Sequence, residues 1–364
     1  MAVKWSWAFG NESALQLNNE MGFNINTTDA YFAKPISDAA GVYTYPGSPT
    51  RYSLDTGRDY RLETPSSAWT PAGWIAAPIR TFQGWESDRV SPVMQAYGNN
   101  QTIYIWCDNE GASTLKLSFY SVTGYSTSNH SIPGSFPDGD WRYFALKYDT
   151  TITQPNAEVW VDGTLVLAAT ASWTGVANTS GYYKFGGYGN GGTPASLNAP
   201  LAQIIIYDTG SLSSGNPYDP VYCTRLNPTA DTATSGTWTP SVGSDDYAVL
   251  SSSFDSSTHT VNTGASGGEF VTCRASIDIA TQIGTSPGMI SGITLHAWAS
   301  GSGLNGKVAL SNDNTQYDYG DVITPDINDP TYCFFTAPQQ VQSVSPDDWD
   351  GADAPYMRYE LTGS

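Results

Sequence analysis

The stretch Trp141-Arg142-Tyr143-Phe144-Ala145-Leu146-Lys147-Tyr148 and the unit that follows it, Ala157-Glu158-Val159-Trp160-Val161-Asp162-Gly163-Thr164-Leu165-Val166, decide the fold class. In the first, nearly every residue favours a strand, and the turn-forming Pro137-Asp138-Gly139-Asp140 leads into it. The second reads as a hairpin, because Asp162-Gly163 supplies the two positive-φ positions that a type I′ turn demands. Working outward, the same alternation of apolar and polar residues in short runs bounded by Gly, Pro, Asn and Asp recurs along the chain. Strands are expected at Thr102 to Cys107, Thr114 to Val122, Arg142 to Tyr148, Glu158 to Val161, Tyr182 to Phe185 and Gln203 to Tyr207. Helical periodicity is confined to Asn11 to Glu20, enough for a turn or two.

Between Gly210 and Gly236 the composition shifts to loop-forming Ser, Gly, Asn and Pro around a short strand candidate at Val221 to Leu226, so a domain boundary is expected near Asp219. Further strands are expected at Tyr247 to Ser251, Gly268 to Ile277, Gly292 to Ser300, Lys307 to Ser311, Pro330 to Thr336 and Tyr356 to Leu361. Alternation puts Ile293, Leu295, Ala297 and Ala299 on one face of a half-buried strand. His296 then shares the other face with Thr294 and Trp298, at solvent or at an interface. The 364 residues suit two domains. The expectation is an all-β chain of two tandem β-sandwiches, one over 1–218 and a smaller antiparallel one, serving anchoring or assembly, over 219–364.

A formal charge of −19 repels a phosphate backbone, so nucleic acid is not an expected partner. The lack of any apolar run near the length of a membrane helix argues against a membrane partner, and the start lacks a Sec-type signal pattern. Cys107, Cys223, Cys273 and Cys333 are far apart and read as reduced core residues. No histidine accompanies a GxSxG elbow or an HExxH helix. The formal GxGxxG that starts at Gly187 runs into the loop-like Thr193-Pro194-Ala195, so it reads as a surface loop rather than a dinucleotide site. Acidic residues at Asp313, Asp318, Asp321, Asp326 and Asp329, and at Asp347, Asp348, Asp350 and Asp353, lack EF-hand spacing. They read as solvated loops; no cofactor is expected beyond a structural calcium ion that such loops could hold. No alternating acidic triplet presents paired carboxylates, so conventional glycosidase chemistry is not expected. Aromatic residues are plentiful, and aromatic faces stack on apolar sugar faces. Trp85, Trp173 and Tyr188 sit beside Gly-rich turns and are the candidate glycan contacts.

The order Gly139 to Tyr148, Val159 to Gly163, Tyr183-Lys184-Phe185-Gly186-Gly187-Tyr188 and Gln203 to Asp208 resembles a concanavalin A-like jelly roll of the laminin G type. The opening Met1 to Gly10, Thr50 to Leu54, Thr224 to Asp231, Asp348 to Gly351 and Met357 to Leu361 resemble structural proteins of tailed bacteriophages, many of them marine. That resemblance implies a virion component made in the host cytoplasm. Tyr182-Tyr183-Lys184-Phe185-Gly186-Gly187-Tyr188-Gly189-Asn190 also resembles the YFKxGxYxQ strand of jelly-roll polysaccharide lyases, and Arg61-Leu62-Glu63 echoes their RxEL strand. In that family a Tyr and a His flank the acidic sugar while Arg and Gln neutralise its carboxylate. Tyr188 matches the motif's second Tyr and Lys184 its Lys, which adds Lys184 to the candidate contacts. Asn190 stands where the family has Gln, and Gln95-Ala96-Tyr97 lacks the His of the family's QxH. The reading that results is a non-enzymatic virion surface protein, a capsid decoration or head-fibre protein, with no catalytic residues. A tail-fibre protein adsorbing to host glycan, or a polysaccharide lyase, is the alternative. Expected partners are the major capsid protein or tail proteins, a host-surface glycan, and further copies of the chain, a trimer being the first expectation.

Overall fold

The computed structural model describes residues 3–8, 24–25, 34–35, 54–55, 61–80, 91–108, 114–134, 141–186, 200–201, 203–209, 228–250, 260–264, 266–275, 293–301, 303–311, 313–325, 331–336 and 355–363. The chain is all-β with antiparallel pairing throughout the described strands. A nine-stranded sheet runs from Thr164–Thr170 through Asn156–Val161 and Trp141–Asp149 to Ala72–Arg80, with Gln203–Asp208 and then Val3–Ala8 branching from the last of these. A seven-stranded sheet runs in the order Thr127–Ile132, Thr114–Ser121, Gln101–Asp108, Ser91–Gly98, Gly181–Gly186, Arg61–Glu63 and Asn24–Ile25.

The decisive stretch shows how the two sheets close on each other. Phe144 and Leu146 point into the core shared with Ile103, Ile105, Leu117 and Phe119 of the facing sheet. Tyr143 and Ala145 join Trp74, Ala76, Ile205 and Tyr207 in a second buried cluster on the opposite side. Because Tyr143 to Leu146 of the Trp141–Asp149 strand are buried on both faces, that central run is apolar without alternation. The hairpin forms as expected, with Asp162 at φ 48° and Gly163 at φ 80°. A closed set of buried hydrogen bonds ties the sheets together. The Tyr148 hydroxyl donates to the Thr70 carbonyl at 2.7 Å, and the Thr70 N–H donates to the Tyr183 hydroxyl at 3.2 Å. The Tyr183 proton is thereby left to donate to the Tyr148 oxygen across 2.6 Å.

The second half carries a five-stranded sheet in the order Ala230–Ser235, Phe270–Arg274, Tyr356–Thr362, Asn305–Ser311 and Asp318–Tyr319. Two-stranded ribbons, Trp238–Pro240 with Thr260–Asn262 and Thr294–Ala299 with Thr331–Thr336, accompany it. Of the strand expected at Tyr247 to Ser251, Ser251 lies outside the described residues and Tyr247 to Leu250 instead belong to a short helix, Asp246–Leu250. Its cause is nonlocal: the Asp231 carboxylate accepts the backbone N–H groups of Asp246 at 2.9 Å and Tyr247 at 2.6 Å, capping the first turn. Cys273 is a buried free thiol, as a reduced core cysteine should be. The helical turn at Asn11 to Glu20, the strand at Val221 to Leu226 and the boundary near Asp219 fall outside the described residues.

His296 lies at an interface. The polar face of Thr294–Ala299 turns onto the N-terminal strand, where Ser6 Oγ donates to Thr294 Oγ1 at 3.0 Å and His296 Nε2 donates to the Ser6 carbonyl at 2.8 Å. The imidazole meets Trp7 and Trp5 edge-on, with centroids 4.8 and 5.9 Å away.

Candidate ligand face

The seven-stranded sheet has one apolar and one polar face. On Gly181–Gly186 the side chains of Tyr183 and Phe185 enter the core, so alternation sends Tyr182 and Lys184 outward. The ladder register then aligns outward residues across the sheet. Glu63 pairs with Lys184, Lys184 with Gln95, Gln95 with Tyr104, Tyr104 with Ser118 and Ser118 with Asn129. A second row beside it pairs Tyr182 with Tyr97, Tyr97 with Thr102 and Thr102 with Tyr120.

Lys184 is the hub of this face. Its ammonium lies 3.4 Å from Glu63 Oε1, 3.6 Å from the centre of the Tyr97 ring and 5.0 Å from that of Tyr182. The two tyrosine rings stack with centroids 5.1 Å apart and 29° between planes. Farther along, Trp106 Nε1 donates to Ser118 Oγ and Ser118 Oγ donates to Asn129 Oδ1, both at 2.6 Å. Lys116 reaches over the Trp106 ring at 5.2 Å. Glu63, Gln95 and Lys184 are 5, 8 and 8% exposed, while Tyr97, Tyr104, Tyr120 and Tyr182 are half-buried. Burial pushes the Tyr104 phenol above its ordinary range, against the opposing effect of its bond to Ser118. The face therefore offers a charged pair, amides, hydroxyls and ring surfaces in register, a set suited to fixing a polyhydroxylated ligand.

Of the two expected site residues that are described, Lys184 falls on this face and Trp173 does not. Trp173 follows the Thr164–Thr170 strand and packs against the core between the sheets, so it and Lys184 are not brought together. A Cβ on Gly175 would lie 3.0 Å from its ring, which shows how closely the loop folds over it. Trp85 and Tyr188 lie outside the described residues. Glu63, Gln95, Tyr97 and Tyr182 were not picked as site residues, although each stands in a segment that resembles a lyase motif. Among the expected acidic loops, Asp313 accepts bonds from the Thr315 hydroxyl and from the N–H groups of Thr315 and Gln316. These bonds hold its carboxyl well below the usual range, and they make it a turn former.

No family model and no curated relative matches the sequence. Solved structures that resemble it include a mixed linkage glucan GH16 protein of Bacteroides ovatus in complex with product, at 12% identity, TM-score 0.39, and coverage of 56% of this chain and 99% of that one. The laminarinase catalytic domain of Thermotoga maritima is 15% identical, with TM-score 0.36 and coverage of 57% and 98%. The IT-sialidase CBM40 of Ruminococcus gnavus is 13% identical, with TM-score 0.33 and coverage of 43% and 89%. These likenesses concern the fold alone. The expectation of a non-enzymatic protein is nevertheless corrected, because a laminarinase catalytic domain stands among the chains of similar fold.

Proposed function

We propose that the protein binds an oligosaccharide on the outer face of its seven-stranded sheet. The supporting observation is the in-register polar row from Glu63 to Asn129 beside the stacked Tyr97 and Tyr182. Sugar rings have apolar faces that pack on aromatic rings, and hydroxyls that need donors and acceptors at fixed spacing, which a flat strand ladder supplies. Calorimetric titration with a uronic-acid hexasaccharide and a glucohexaose tests this reading. At least one should bind, and Tyr97→Ala or Tyr182→Ala should weaken it by about tenfold, the value of one lost stacking contact. Absence of binding by both sugars, or binding unchanged in both variants, would overturn it.

Polymer cleavage by elimination is a second reading, favoured by the adjacency of the three motif-bearing strands. Tyr97 occupies the position of the family's His, so a proton-accepting role there would fall to a tyrosine. Absorbance growth near ~235 nm from a uronic-acid polymer, abolished in Tyr188→Phe, is the expected signature. A flat trace at high enzyme concentration would reject it.

On the resemblance to tailed-bacteriophage proteins we further propose that this face is displayed on a virion, as a capsid decoration or head-fibre protein or as a tail fibre. Mass spectrometry and immunogold labelling of purified particles should find the protein at fixed copy number on shell or tail, and its absence from particles would refute this setting.

A further inference from the structure

We propose that one flank of the first sandwich is an interface between two copies of this chain, formed by antiparallel pairing of their Thr164–Thr170 strands about a twofold axis. Among the described residues, that strand ends the nine-stranded sheet and pairs only with Asn156–Val161. Thr127–Ile132 likewise ends the seven-stranded sheet, and the two end strands approach each other on the same flank. Among the described residues, no backbone hydrogen bond outside the ladder engages Thr164–Thr170. Thr164, Leu165, Ala168 and Thr170 are exposed, Leu165 by 44%.

A strand end of this kind presents a row of unpaired N–H and C=O groups whose natural complement is another strand. Soluble proteins usually blunt such an edge with Lys, Pro or a bulge. Here the sequence is TLVLAAT, with no charge and no proline, and the neighbouring end strand TSNHSI has no Lys, Arg, Asp or Glu. The described safeguard is a register shift at Val159/Trp160, beyond which Leu167 to Thr170 keep regular pairing.

Charge selects the occupant. The chain carries −19, so two copies repel wherever acidic surfaces meet, and an edge strand that bears no acidic residue, with the nearby Glu158 paired to Lys147, is where they approach at least cost. Antiparallel pairing of one strand with itself is self-complementary by symmetry and closes at two subunits. It therefore replaces the trimer expected from the sequence.

Sedimentation velocity of the full chain over about 1–100 µM tests the proposal, with hydrogen exchange measured at both ends of that range. The expected result is a dimer, with amides of Leu167 to Thr170 exchanging more slowly when it forms. Leu165→Lys/Ala168→Lys and Leu165→Glu/Ala168→Glu should each raise the dissociation constant at least ~10-fold with circular dichroism unchanged. A monomer throughout the range, a trimer, or a dimer with no added protection in that strand would overturn the proposal. The exchange measurement decides the matter even if a variant misfolds.

Discussion

Lys184 and Glu63 meet at 3.4 Å with side chains 10 and 6% exposed, and the ammonium lies 3.6 Å from the Tyr97 ring. On the outward face of the five-stranded sheet, Lys307 and Glu360 meet at 3.2 Å with side chains 22 and 16% exposed, and the ammonium lies 3.8 Å from the Tyr319 ring. The chemical parts are the same and the solvation differs. The second set braces the strands: the Tyr319 hydroxyl donates to Glu360 at 2.7 Å, and the Arg358 guanidinium sits 3.7 and 3.9 Å from the Tyr317 and Phe270 rings while Nε donates to Thr272. The first set is buried, where desolvation offsets most of the attraction between the charges, so stability alone does not account for it. Under the function proposed here, the pair serves to hold a ligand.

Removing one charge from each pair tests that contrast most sharply. Glu63→Gln leaves the Lys184 ammonium buried without its carboxylate and should cost about 3–5 kcal/mol in urea unfolding. Glu360→Gln, at a more solvated pair whose lysine keeps partial access to water, should cost less, about 1–3 kcal/mol. Equal losses would erase the distinction between the two faces. Replacing both partners, Glu63→Leu with Lys184→Met, should restore most of the stability while ligand binding is lost.

The next effect comes from beneath the same strand. Tyr183→Phe breaks the hydrogen-bonded set with Tyr148 and Thr70 and should cost about 1–3 kcal/mol. Burial raises both phenols above the ordinary value of 10.0. Raised values mean that the folded state holds its protons where the unfolded chain releases them. Their contribution is therefore intact below that ordinary value and is lost as pH climbs above it. Chemical denaturation between neutral pH and the alkaline range should show this fall, with a shallower slope in Tyr183→Phe.

Gly98→Ala probes the other tyrosine strand. A Cβ there would sit 1.9 Å from the Asn178 amide nitrogen. That amide accepts the N–H groups of Asn100 and Gln101 and donates to the Gln101 carbonyl, clamping the turn after Tyr97. A loss of about 1–3 kcal/mol is expected on thermal unfolding, with weaker sugar binding as Tyr97 shifts. Unaltered stability would show that the clamp can move aside freely.

These contrasts also mark what was legible before the structure. The strand at Trp141–Asp149 and the Asp162-Gly163 turn follow from local propensity and backbone chemistry, and both appear as expected. The helix Asp246–Leu250 was missed because its cap, Asp231, lies fifteen residues earlier and belongs to a strand. On the candidate ligand face, Lys184 stands out in the sequence, whereas its pairing with Glu63 and Gln95 is not legible there, because it joins segments far apart in sequence. Trp173 was weighted by its glycine-rich neighbourhood, whereas the ring turns onto the core.

Backbone and side-chain NMR shifts on titration with the uronic-acid hexasaccharide and the glucohexaose test the central claim most directly. Changes for the bound sugar should concentrate at Gln95, Tyr97, Tyr182 and Lys184 and leave Lys307, Tyr319 and Arg358 unmoved. Changes centred on the five-stranded sheet, or saturating binding that leaves the Tyr97 and Tyr182 resonances in place, would contradict it.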